Sequence, residues 1–102
     1  MNNLQVTQLL GLAARARKVI SGEELVVKEI RNGNAKLVLL ASDAAHNSSK
    51  KIKDKCTYYK VEYHVFGDRY DPGHATGKEA RVAIAITDSG FAKKMSSLLN
   101  EK

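Results

Sequence analysis

The chain has no tryptophan and a single cysteine, Cys56, among its 102 residues. One thiol cannot close a disulfide within a chain, and His46, His64 and His74 are scattered, none spaced from Cys56 as a zinc ligand would be. No metal and no cofactor is therefore expected. Long apolar runs are missing too, since none approaches the roughly 20 residues that cross a bilayer, and no membrane partner is expected. The opening MNNLQVTQLL has neither the basic start nor the apolar segment of a signal peptide. With the lone thiol, this points to a reducing cytoplasm. Neither G-x-G-x-x-G nor the Walker pattern is present, so no nucleotide cradle is predicted. Negative charge is also scarce. Eleven Asp and Glu against 17 Lys and Arg leave a net charge of +6, which favours a polyanionic partner. A membrane surface or an acidic protein would answer the same charge.

What is present fits one domain over residues 1–102, because a chain of this length buries roughly 60–70 % of its unfolded surface. The organising stretch is Lys18 to Asp43, KVISGEELVVKEIRNGNAKLVLLASD. Its first half reads as a helix beginning at Ser21 or Gly22, with Ser21 capping the start and Glu24, three residues on, closing a capping box. Leu25, Val26 and Ile30 are expected on one face, Glu24, Lys28 and Arg31 on another, with Gly33 as a left-handed stop. Its second half, Lys36 to Ala41, is a continuous apolar run of the kind buried on both sides of a sheet.

Before it, Asn3 can cap a helix with Leu9, Leu12, Ala13 and Ala16 at helical spacing, ending in Arg15, Arg17 and Lys18. Val19 and Ile20 read as a short edge strand. After it, Asn47 or Ser48 is expected to cap a third helix with the buried stripe Ile52, Cys56 and Tyr59 and a solvated face of Lys50, Lys51, Lys53 and Lys55. Val61, Tyr63 and Val65 alternate as a strand, with His64 facing solvent. A turn over 67–70 and a short helix opened by Asp71-Pro72, carrying Gly73 and Gly77, precede the polar loop Lys78-Glu79-Ala80-Arg81 and a strand from Val82 to Ile86. Thr87 or Asp88 caps a last helix with the apolar face Phe91, Met95, Leu98 and Leu99. This alternation predicts an α/β fold, a three-layer α/β/α sandwich around a four-stranded mixed sheet.

Catalysis has little to stand on. Cys56 belongs to an apolar stripe, where a thiol packs as a small hydrophobe. Asp43 and His46 form at most a loop dyad with neither nucleophile nor phosphate cradle. A non-enzymatic role is expected. Lys18, Gly22, Glu24, Lys28 and Gly33, the strand AKLVLLASD, and then Gly73-His74-Ala75, Gly77 and the loop before Val82, taken together, resemble the L7Ae/L30e family of ribosomal proteins, and its short bacterial members most closely. The resemblance covers nearly the whole chain. It implies an α/β/α sandwich that binds kink-turn RNA at sheared G·A pairs beside a three-nucleotide bulge. The archaeal members carry Asn-Glu where this chain has Glu24-Leu25.

The RNA-binding positions so implied are Lys18, Ser21, Gly22, Glu23, Glu24, Lys28, Arg31, Asp43, Lys78, Glu79, Ala80, Arg81 and Val82. Gly22 lets a base or phosphate approach backbone amides at the positive end of a helix. Glu24 can accept from the Watson-Crick edge of guanine, or it can merely pair with Lys28 one turn on. Lys28 reaches guanine O6 and N7 or a phosphate. The loop from Lys78 to Val82 offers Ala80 and Val82 to splayed bases while Arg81 meets phosphate. The expected partner is structured RNA, ribosomal RNA and the ribosome included, held by a monomer. The competing reading is a protein-interaction module of a ribosomal or RNA-processing complex that uses the same basic face on acidic protein.

Overall fold

The computed structural model describes residues 3–67 and 81–100. The expected turn over 67–70 beyond Gly67, the helix opened by Asp71-Pro72, and Lys78, Glu79 and Ala80 lie outside the described residues. The elements are α1 (Asn3–Arg15), β1 (Val19–Ser21), α2 (Glu23–Arg31), β2 (Leu37–Leu40), α3 (His46–Tyr59), β3 (Glu62–Val65), β4 (Ala83–Ile86) and α4 (Ser89–Leu99).

The strands form one mixed sheet in the order β1-β4-β2-β3. β4 runs antiparallel to both β1 and β2, and β3 lies parallel to β2. Every residue of β2 and β4 is buried, because both central strands are covered on two faces. Their side chains alternate accordingly. Leu37, Leu39, Ile84 and Ile86 meet Val6, Leu10 and Met95 from α1 and α4. Val38, Leu40, Ala83 and Ala85 meet Val26, Ile30, Ile52 and Cys56 from α2 and α3. Two cores, one on each side of the sheet, make the three-layer α/β/α sandwich.

Several local expectations are corrected. On α1 the buried stripe is Val6, Leu9, Leu10 and Ala13, while Leu12 is 52 % exposed. The helix rolls toward Val6 and Leu10, which bury more apolar surface than Ala16, an exposed residue beyond the helix end. On α2 the buried residues are Val26, Val27 and Ile30, and Leu25 is 54 % exposed, since three consecutive apolar residues cannot share one helical face. α3 starts at His46 with Ala45 as its cap residue, so neither Asn47 nor Ser48 caps it. Ile52 and Cys56 are buried, but Tyr59, in the final turn, is 39 % exposed. His64 does not simply face solvent. Its ring sits 2.6 Å from Glu62 on the side of edge strand β3 where Glu62 also accepts from Ser96 and Asn100 of the α4 end. Val65, expected inward, is 47 % exposed for the same edge position.

The helix ends use one device three times. Arg17, Gly33 and Lys60 all have positive φ. In each case the next residue's amide reaches back to close a Schellman motif, from Lys18 to Ala13, from Asn34 to Glu29 and from Val61 to Cys56. Gly33 was legible as such a stop; Arg17 and Lys60 were not, because their side chains disfavour that backbone region.

Candidate functional site

At one end of the sheet β1, β2 and β3 leave while β4 enters, and main-chain bonds stitch the four segments into a rim. The Gly22 amide donates to the Ala83 carbonyl (3.1 Å), Ala41 to Val82 (2.8 Å), Phe66 to Leu40 (2.8 Å) and Ser42 to Gly67 (2.7 Å). The rim thus gathers Ser21, Gly22, Asp43, Arg81 and Val82, with Glu23 and Glu24 in the first turn of α2 above it. The Arg81 Nε donates to the Ser21 hydroxyl across 3.3 Å, joining the last residue of β1 to the segment that leads into β4. Val82 is half-buried against the core beneath α2 and α3.

The start of α2 departs from the predicted capping box. Ser21 is the last residue of β1, and Gly22 is the cap residue, with φ 102°, ψ 140° and no side-chain cap. The position three residues past Gly22 is then Leu25, which has no acceptor to reach back, and Glu24 is left exposed. The first backbone bond of the helix runs from the Val26 amide to the Gly22 carbonyl (2.9 Å). The amides before it point along the positive end of the helix dipole. A Cβ placed on Gly22 would have open space within 4 Å, so glycine is demanded by its backbone and not by crowding inside the protein.

Around this start, Glu23 accepts from the Ser48 hydroxyl at the head of α3 (3.3 Å), which fixes one carboxylate and leaves the next free. Glu24, Leu25, Lys28 and Arg31 are all exposed along α2. Among the described residues no ion pair joins Glu24 to Lys28. The surface therefore offers uncapped amides, a carboxylate acceptor, an apolar side chain and a cation one turn on. Such a mixture matches a ligand that alternates phosphates with base edges.

Not all predicted residues converge. Lys18 lies at the far end of β1, where its carbonyl accepts from Thr87 (2.9 Å), and Arg31 closes α2 about 12 Å along the axis from Glu23. Leu25 was missed as a surface residue and Ser48 as the partner of Glu23. Three adjacent apolar residues, Leu25 to Val27, were the available sign for the first; nothing in the sequence marked the second.

Cys56 is buried, and burial pushes its thiol up to about 11, so it stays protonated. Asp43 and His46 are both exposed, His46 as the first residue of α3. Among the described residues no three metal-ligating side chains gather, and no helix is long and apolar enough to cross a membrane.

With the geometry in place, comparison with known proteins gives a consistent picture. Residues 5–96 match the model of the ribosomal protein L7Ae/L30e/S12e/Gadd45 family. The chain is 58 % identical to the RNA-binding protein YlxQ of Bacillus subtilis, over 98 % of this chain and 100 % of that one. It is 43 % identical to the RNA-binding protein YlxQ of Enterococcus faecium, over 96 % and 94 % of the two chains. Among solved structures, a Bacillus halodurans protein of unknown function superposes with a TM-score of 0.92 at 47 % identity, covering 94 % of this chain and 97 % of that one. The 15.5 kD RNA binding protein of Giardia lamblia shares the fold, with a TM-score of 0.79 at 19 % identity over 94 % and 85 % of the chains.

Proposed function

The chain belongs to the ribosomal protein L7Ae/L30e/S12e/Gadd45 family, and from that premise we propose that it is a non-enzymatic, monomeric protein that binds kink-turn or similarly bent RNA in the cytoplasm, on or near the ribosome. The observation that carries this reading is the uncapped, glycine-led start of α2 standing open above the rim that holds Arg81 and Val82. The relatives named as RNA-binding proteins support it, since they match over nearly their whole length.

Binding works by shape before sequence. The free amides at residues 23–25 and Lys28 hold the bent phosphate track. Glu24 accepts from an exposed guanine edge, which a phosphate could not approach as closely. Leu25 and Val82 lie against splayed bases, and Arg81, oriented by Ser21, meets the backbone on the other side. Lys78, Glu79 and Ala80, outside the described residues, belong to the proposed RNA-binding set, Asp43 borders the rim, and Lys18 and Arg31 supply long-range attraction from the far end.

Titration of a kink-turn duplex against its straight, fully paired counterpart tests the proposal, with clear preference for the bent RNA expected. Lys28→Ala weakens kink-turn binding by roughly 1–3 kcal/mol, the worth of one good base contact. Equal affinity for both RNAs refutes the reading. Retention of a cellular partner after ribonuclease treatment turns it toward an acidic protein surface.

A further inference from the structure

We propose that the outward face of α3 is a second contact for the same RNA, with Tyr58 stacking an unpaired base and the neighbouring lysines holding the phosphates that lead to it. The inference rests on the RNA-binding reading above and extends the footprint beyond α2 and the rim.

Tyr58 is 78 % exposed, the most open of the large apolar side chains among the described residues. It is not a displaced core residue, because Ile52 and Cys56 already bury the opposite face of α3. Its ring meets Tyr59 edge to face, with centroids 4.8 Å apart and planes at 75°, so it is steadied without being covered. On a helix, Lys51 and Tyr58 stand two turns apart on one stripe, with Lys50 and Lys55 flanking it. Between His46 and Lys60 five lysines against the single carboxylate of Asp54 hold four of the chain's six net positive charges. An aromatic platform within a cationic helix face suits single-stranded nucleic acid, where a base stacks and its phosphates are neutralised.

Continuity with the first site sets the direction. The Ser48 hydroxyl bonds to Glu23, so the head of α3 adjoins the head of α2, and Tyr58 lies about 15 Å further along the α3 axis. An RNA strand leaving the α2 start crosses Lys50 and Lys51 before it reaches the ring. Asp54, in the middle of that stripe, disfavours an unbroken phosphate track. A strand that turns a base toward the protein there accommodates it; a regular duplex does not.

Fluorescence anisotropy of the full chain decides the matter with three labelled probes: a blunt kink-turn duplex, the same duplex with an oligouridine tail on either strand, and oligouridine alone. One tail is expected to tighten binding about tenfold. Tyr58→Ala abolishes that gain and leaves the blunt duplex unaffected, whereas Tyr58→Phe retains it. Lys51→Ala and Lys55→Ala each lower the salt dependence for the tailed RNA alone, by roughly 0.7 in the logarithmic slope. A tail without effect, or a gain that survives Tyr58→Ala, overturns the inference while kink-turn preference keeps the reading beneath it. If that preference is absent, the earlier reading falls, and Tyr58-dependent binding of oligouridine alone still upholds the α3 contact. Polyglutamate bound as tightly as oligouridine, and indifferent to Tyr58→Ala, assigns the face to acidic protein and refutes it.

Discussion

Helices α2 and α4 begin in opposite ways. Asp88 caps α4 by accepting from the Phe91 amide at 2.9 Å, so the fold itself satisfies that helix start. Gly22 heads α2 with no side chain at all, and among the described residues no side chain caps the amides after it. Both ends carry the same partial positive charge. One is spent on the protein's own stability, and the other, in the proposed reading, meets RNA. A missing cap alone does not set α2 apart, since Ala45 heads α3 without one; what sets it apart is the positive-φ glycine beside the rim, and the proposed RNA contact rests on that pairing.

The largest expected effect comes from giving α2 a side chain at its head. Gly22→Val forces a β-branched residue into a backbone region that is nearly glycine-only, costing about 1–3 kcal/mol in urea unfolding, and it also obstructs the amides, so RNA affinity falls further than stability alone explains. Asp88→Ala is the converse. It removes about 1 kcal/mol and lowers the melting temperature by roughly 4–8 °C, while kink-turn affinity in folded protein stays unchanged. Should Asp88→Ala weaken RNA binding as much as Gly22→Val, the contrast between the two helix starts dissolves.

A smaller effect concerns the end of α4 remote from its cap. Ser96 and His64 hydrogen bonds hold Glu62 below the usual glutamate range. A carboxylate with a lowered folded pKa adds stability above its unfolded pKa and loses it as the pH falls through the folded value. The contribution is therefore complete above about pH 5 and fades below about pH 4. In Glu62→Gln, unfolding monitored from pH 7 to pH 3 shows a correspondingly shallower acid slope. The smallest effect is a gain: Arg17→Gly relieves the left-handed turn after α1 and stabilises by up to about 1 kcal/mol in thermal melts.

Much of the sandwich was legible because its strongest signals are long and redundant. β2 and β4 are unbroken apolar runs, and Asp88 sits where an N-cap must. Gly33 ends α2 as glycine usually does. What misled was local and single. Ser21 and Glu24 have the spacing of a capping box, yet pairing of Ser21 opposite Ile84 in the sheet outcompeted the cap and shifted the helix by one residue. Leu25 obeyed helical spacing as well as Val26 and Val27 did, and only packing on the sheet decided which of them turned outward. The convergence of Gly22, Val82 and Asp43 follows from strand order, which no local pattern encodes; the family resemblance named those positions, but their nearness is a fact of topology.

The rim has one more implication, which lies in the kind of bond that holds it. Residues 22, 41, 67 and 82 are far apart along the chain, and the links that bring them together join carbonyls and amides alone. Whereas Arg81 bonds to Ser21 and Glu23 to Ser48, the exposed side chains Glu24 and Leu25 are thus released from structural duty. Proteins built on this frame can exchange them freely and acquire new ligand preferences, with no debt to the scaffold beneath.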